Sequence, residues 1–161
     1  MYWIDGMKSG RLCTAARPRA GDWLEDEIAL WSRSGVDHVV SLLERDEIED
    51  LDLGNEAAAC MRAGLSFSSY PIPDRGLPYS PEEVTRLVEA LSGDLAAGRG
   101  VLIHCRAGIG RSSMIAAAVC VFAGATPAEA FQRISAARGL RTPDTEQQIQ
   151  WVEAFAERLS G

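Results

Sequence analysis

Apolar residues fall into two kinds of pattern along this chain. Short runs rich in apolar and β-branched residues, Val36–Leu43, Leu65–Tyr70 and Val101-Leu102-Ile103, predict strands. Residues spaced three or four apart predict helices with one buried face: Leu24, Ile28 and Trp31 early in the chain, and Ile149, Val152, Phe155 and Leu159 at its end. The stretch from Met114 to Ala123 is apolar on every side, the mark of a helix buried all round.

Polar residues punctuate these elements. Asp22-Trp23-Leu24-Glu25 has the form of a helix N-cap, with Gly35 as the stop, and Asn55 is expected to cap a helix that runs to Arg62 and ends at Gly64. Ser80-Pro81-Glu82-Glu83 and Thr126-Pro127-Ala128-Glu129 each combine a cap, a first-position proline and a capping-box glutamate. Thr142-Pro143 is expected to start the last helix. Tyr2–Ile4 and Arg11–Ala15 read as two short strands joined by a turn, and Glu44–Asp52 as an acidic helix or loop. Strands that alternate with helices imply an α/β fold, with a central, at least partly parallel sheet flanked by helices.

At 161 residues with no repeat or linker, the expected organisation is a single domain over 1–161. Hydrophobic residues make up 47%, enough for a core and too many for a disordered chain. No apolar run approaches the ~18 residues of a membrane span, so no membrane insertion is expected. The first residues lack the basic-then-apolar order of a secretory signal, and a cytoplasmic location is expected. The formal charge of −7 disfavours nucleic acid as a partner. Four cysteines without a Cys-x-x-Cys pair, and only two histidines, point away from zinc and from a disulfide scaffold; no metal and no cofactor are expected.

One segment carries chemistry of its own: His104-Cys105-Arg106-Ala107-Gly108-Ile109-Gly110-Arg111-Ser112. Between a strand and a helix, a glycine-containing loop turns successive N–H groups inward at the positive end of the helix dipole, which makes an anion cradle. A cysteine there is held as a thiolate by those donors and by the guanidinium. Arg111 is badly placed as a structural cation at a helix N-terminus unless an anion compensates, and a two-pronged clamp on a phosphoryl group supplies one. Nucleophile and oxyanion receptor thus share one loop, as phosphate-ester hydrolysis through a cysteinyl-phosphate requires.

The stretch resembles the signature loop of the cysteine-dependent protein phosphatases, His-Cys-x5-Arg followed by Ser or Thr. Pro71-Ile72-Pro73-Asp74 resembles the family's Pro-x-x-Asp segment. The tyrosine-specific branch has tryptophan where Ile72 stands, so the chain is most similar to the dual-specificity-like branch. The resemblance is strongest from about Val36 to Ser113 and implies the phosphatase fold, a cysteine nucleophile (Cys105) and substrate binding by Arg106, Ala107, Gly108, Ile109, Gly110 and Arg111. It implies Asp74 as general acid on a mobile loop, Ser112 as the hydroxyl that stabilises the departing thiolate, and His104 as a buried support of the loop. If Asp74 is only a turn residue, Glu44, Asp46 and Glu47 are the other acids that follow a strand.

Gln148 lies on the buried stripe of the last helix, three, four and seven residues before Trp151, Val152 and Phe155. It either positions the hydrolytic water, as a glutamine does in part of the family, or sits at the stripe's margin. Arg106 either adds positive potential at the pocket mouth or faces solvent, and Arg17, Arg19 and Arg75 stand the same way. Cys13, Cys60 and Cys120 read as packing residues. The implied substrates are phosphotyrosine, with or without phosphoserine and phosphothreonine, on proteins. Three rivals are a phosphatase for a phosphoinositide, nucleotide or sugar phosphate, a rhodanese-type sulfurtransferase, and a non-catalytic phosphopeptide-binding module. The neutral Ala107 and Ile109 speak against the first, the full loop motif with Asp74 against the second, and the intact Cys105, Arg111 and Asp74 against the third.

Overall fold

The computed structural model describes residues 1–161. Its sheet has five strands in the order β1 (Tyr2–Trp3), β2 (Arg11–Ala16), β5 (Gly100–Cys105), β3 (His38–Ser41) and β4 (Ser66–Ser69). Only the β1–β2 pair is antiparallel; β2, β5, β3 and β4 run parallel. The helices are α1 (Leu24–Arg33), α2 (Arg45–Asp50), α3 (Glu56–Arg62), α4 (Pro81–Ala96), α5 (Arg111–Phe122), α6 (Pro127–Arg138) and α7 (Glu146–Ser160). The expected α/β architecture, with an at least partly parallel central sheet flanked by helices, is therefore present.

Alternation along the strands sorts the core into two layers. Val101, Ile103 and Cys105 of β5, with Leu12 and Val40, join the apolar faces of α4, α5, α6 and α7. Leu102, with Cys13, Ala15 and Val39, packs against Leu24, Ile28 and Trp31 of α1 and Ala59 and Cys60 of α3. The same alternation sends His104 and Cys105 to opposite faces of the sheet, and this decides what each can touch. Helix α5 is the hub of the larger layer, packed on α4, α6, α7, β2 and β5, which explains why Met114 to Val121 are apolar without a polar face.

Several boundaries differ from the sequence expectation. A 3₁₀ turn, Gly21–Trp23, precedes α1, so Asp22 lies inside that turn and its side chain makes no cap. Asn55 stands before α3 without a side-chain cap bond. The Val36–Leu43 run gives only a four-residue ladder: the Val36 N–H still donates to Trp31 O, closing α1, although Leu42 N–H continues the pairing to His104 O. Ser80 caps α4 by accepting from Glu83 N–H, but Glu83 does not return the bond, whereas Thr126 and Glu129 form the full box. An unforeseen box starts α2, where the Glu47 carboxylate accepts from Glu44 N–H at 2.8 Å. Thr142-Pro143 does not begin the last helix. The Thr142 hydroxyl and N–H are engaged by Ser135, and Thr145 caps α7 instead, accepting from Gln148 N–H. Leu159, near the end of α7, is exposed and lies outside the core.

Candidate active site

Strand β5 ends at Cys105 and α5 begins at Arg111, so residues 105 to 111 form a tight loop at the carboxyl edge of the parallel strands, where α/β sheets gather ligands. Gly108 takes a left-handed φ of +72°, and a Cβ there would meet the Ala15 and Ala16 backbone at 2.7 Å. Behind the loop, Arg138 of α6 donates to Gly108 O at 3.2 Å and to Ala107 O at 3.4 Å, while its guanidinium stacks on Tyr2. The Arg17 N–H donates to Arg106 O, so the loop's outer carbonyls are occupied.

The Cys105 sulfur lies 3.3 Å from the Ser112 hydroxyl, both buried, and Ser112 is placed to donate to a thiolate. Arg111 is only 2% exposed, and a buried guanidinium needs every partner it can find. It donates to both oxygens of Glu47 at 2.8 Å, to Ile72 O at 2.9 Å and to Asp74 Oδ1 at 3.3 Å. Burial would lower its pKa, but the Glu47 bond and the charges of Cys105, Glu47 and Asp74 outweigh it and raise the value. Burial likewise works to raise the pKa of Glu47, and the Arg111 and Glu44 bonds overcome it and hold that carboxyl below its usual range.

Asp74 sits on the loop between β4 and α4 with its side chain 61% exposed. The loop is anchored by the fully buried Ile72 and by a turn in which Gly76 N–H donates to Pro73 O. Farther on, Tyr79 donates to Glu44 Oε2 at 3.0 Å, which links this loop to the start of α2. The structure therefore brings Asp74 to Arg111 and Arg111 to the Cys105 loop. Gln148 also belongs to this cluster: it is fully buried, and its amide nitrogen donates to Gly76 O at 3.3 Å. Its Oε1 has no protein partner and lies against Gly110, beside the Asp144 carboxylate.

His104 lies on the other face of the sheet. It is fully buried, with Nδ1 3.3 Å from Cys105 O and Nε2 2.5 Å from Glu56 Oε1. Arg106 and Ala107 are exposed, and Ile109 is half-buried. Arg19 pairs with Glu27. Cys13, Cys60 and Cys120 are buried thiols, raised by burial to about 12, 12 and 11. A surface hollow of about 420 Å³ lies between α4 and α7 and shares no residue with the loop.

Sequence reasoning missed three roles. Glu47 entered only as a substitute acid, whereas it is the carboxylate that holds Arg111. Its signal was the spacing Glu44-x-x-Glu47 at a helix start. Glu56 and Arg138 had no local signal, because their partners lie 48 and 30 residues away.

Comparisons with known proteins bear on this arrangement. A family model described as "Polymorphic toxin system, DSP-PTPase phosphatase" matches residues 13–125. Cyclin-dependent kinase inhibitor 3 of Rattus norvegicus is 27% identical over 129 residues, 79% of this chain; the chain spans 60% of that relative's length. Among solved structures, a kinase-associated phosphatase whose catalytic-site cysteine is replaced by serine superposes with a TM-score of 0.88 at 20% identity, over 99% of this chain and 95% of that one. The structure of Tk-PTP in its active form gives a TM-score of 0.78 at 26% identity, over 98% and 96%.

Proposed function

Because the chain belongs to the DSP-PTPase phosphatase family, we propose that it hydrolyses phosphotyrosine on proteins, and phosphoserine or phosphothreonine as well, through a cysteinyl-phosphate. The observation that carries this reading is the buried Cys105 sulfur beside Ser112, at the foot of a loop closed by Arg111. In the first step the Cys105 thiolate attacks phosphorus, the S–P bond forms and the bond to the leaving oxygen breaks. The loop N–H groups and Arg111 hold the equatorial oxygens, and Asp74, carrying a proton, gives it to the leaving oxygen. In the second step water attacks phosphorus, Asp74 takes its proton, and the P–S bond breaks with Ser112 donating to the departing thiolate. Gln148, with its free Oε1 turned to Gly110, orients that water. His104 supports the loop from behind.

Glu47 makes the geometry workable. It aligns the guanidinium by both oxygens, so that the planar clamp is in place before substrate arrives. No metal is needed where amides and a guanidinium neutralise the phosphoryl charge. The substrate class follows from the loop: Arg106 is its only basic residue before the clamp, and it offers little to a polyphosphorylated headgroup or nucleotide. The site of action is the cytoplasm, and the partner is a phosphorylated protein, with neither nucleic acid nor membrane insertion involved.

The test is a panel of phosphotyrosine, phosphoserine and phosphothreonine peptides, phosphoinositides and small phosphate esters, each run against Cys105→Ser. Turnover of phosphotyrosine peptides above all others, abolished in the variant, is expected. Preferential turnover of phosphoinositides or nucleotides would replace the proposed substrate with the rival one.

A further inference from the structure

Asp144 is a carboxylate beside the loop that the reaction just described does not use. It stands on the connection between α6 and α7, exposed to solvent, and a Cβ placed on Gly110 would collide with its Oδ2. The glycine is what lets this carboxylate lie against the loop, one residue before the Arg111 clamp. The same point on Gly110 is 3.2 Å from Gln148 Oε1, an acceptor on a fully buried side chain that no protein group satisfies. Buried acceptors normally have a donor. Asp144 takes part in none of the ion pairs within the chain. Two unsatisfied acceptors therefore meet at the Gly110 corner, and their donors must come from outside the chain. Water serves Gln148 in the second step. Asp144, charged and exposed, is suited to a cation.

We propose that Asp144 is a specificity-determining residue, and that the hollow it lines is a subsite for a basic side chain, Arg or Lys, close to the phosphorylated residue of a protein substrate. This rests on the reading of the 105–111 loop as the phosphoryl site. The hollow, of about 380 Å³, adjoins the loop through Asp144 and is also lined by Arg141, Pro143, Thr145, Glu146 and Ile149. It offers a cation two carboxylates, Asp144 at the loop and Glu146 beyond it.

Arg141 is the one cation there. It also lines the next hollow, with Phe131 and Glu153, so its charge is shared between the two, whereas Asp144 is the charge that touches the loop. In an extended peptide, side chains two residues apart lie on the same side, about 7 Å from one another. A residue near the phosphorylated one is therefore presented to the rim while the phosphoryl group sits in the loop. A negative rim works by exclusion as well as by attraction: it turns away an acidic flank or a second phosphate, whose charge it repels. Sequence inspection alone gives Asp144 no role, since it is one acidic residue in a turn after a proline.

The experiment measures kcat/KM of the wild type and of Asp144→Asn on one phosphotyrosine peptide made with Arg, Gln or Glu at each of the two positions on either side of the phosphotyrosine. Asparagine keeps the shape at an exposed position and removes only the charge. The ratio of the Arg form to the Glu form cancels any effect of the substitution on the chemistry, which all forms share. It also separates Asp144 from the overall charge of −7, which draws basic peptides from every side in both proteins. An exposed charge pair shifts an affinity by roughly 1.5–5-fold, and exchanging Arg for Glu trades an attraction for a repulsion. At the flanking position that reaches Asp144, the wild type is expected to prefer Arg over Glu by about 3–10-fold, and Asp144→Asn to lower that ratio by about 3-fold or more. No preference for Arg in the wild type, or a preference that Asp144→Asn leaves unchanged at every position, overturns the inference. The same peptides are titrated onto Cys105→Ser, with and without Asp144→Asn, by fluorescence anisotropy. If the wild type hydrolyses none of them, the phosphatase reading fails, and the binding preference still decides the subsite: tighter binding of the Arg form, lost with Asp144→Asn, supports it, and equal binding of the Arg and Glu forms overturns it.

Discussion

On the proposed mechanism, proton delivery by Asp74 would matter more as the leaving group becomes more basic, so Asp74→Asn is expected to separate substrates. General acid catalysis contributes roughly 10²–10⁴-fold. Loss in that range is expected on phosphotyrosine peptides, a larger loss on phosphoserine or phosphothreonine, and the least on an activated aryl ester. An equal loss on every substrate, with an unaltered basic limb of the pH–rate profile, would make Asp74 a turn residue. Arg111→Lys should be severely impaired, because an ammonium cannot span both Glu47 oxygens and hold a phosphoryl group in plane; near-normal kcat/KM would remove the clamp from the account. Glu47→Gln removes a charged partner from a buried guanidinium and is expected to cost about 1.5–3 kcal/mol at neutral pH in urea titrations. The folded-state pKa of Glu47 is depressed, so its contribution is complete above the unfolded value of about 4.3 and is lost as pH falls through the folded value. The variant should lack that part of the acid-side slope. That Cys105, Arg111 and Ser112 come together was legible in the sequence because they are neighbours in one short stretch of chain. Glu47 and Glu56 were not, because a carboxylate's partner across a fold leaves no spacing to read.

The loop element depends on backbone shape as much as on its side chains. Gly108→Ala places a methyl group against the Ala15–Ala16 backbone at a left-handed φ, so the loop must shift. Stability is expected to fall by about 1 kcal/mol or more, and phosphate should protect Cys105 from alkylation less well than in the wild type. Full protection in a stable variant would show that the loop tolerates the side chain. Thr126→Ala, far from the site, should cost about 1 kcal/mol by removing the α6 capping box, with kcat unchanged. The helices were legible where caps and periodicity agreed, as at Ser80 and Thr126. The start of α7 was misread because Thr142-Pro143 carries the same local signal as a real cap, and only the tertiary bonds to Ser135 divert it, leaving Thr145 to cap the helix. Strand ends were over-extended because buried connections such as Val36 and Leu43 look like strand to a hydrophobic pattern.

Across the whole molecule, an acidic chain sets cationic groups around one loop. Arg111 closes the loop, Arg138 donates to its carbonyls, and α5 begins at its end. Turnover is accordingly expected to survive EDTA, and activity lost to chelation and restored by Mg²⁺ or Zn²⁺ would contradict the arrangement. The α/β layout was legible as a whole because strands and helices alternate. The strand order was not, since it depends on which crossovers close over which face. The central claim is that phosphoryl passes through Cys105, and the most direct measurement is to quench turnover of a phosphotyrosine peptide with acid and locate the label by peptide mass spectrometry. The account predicts one phosphoryl group on the Cys105 peptide, absent from Cys105→Ser and depleted when iodoacetate is added first. Phosphoryl on any other residue, or undiminished turnover by Cys105→Ser, would contradict it.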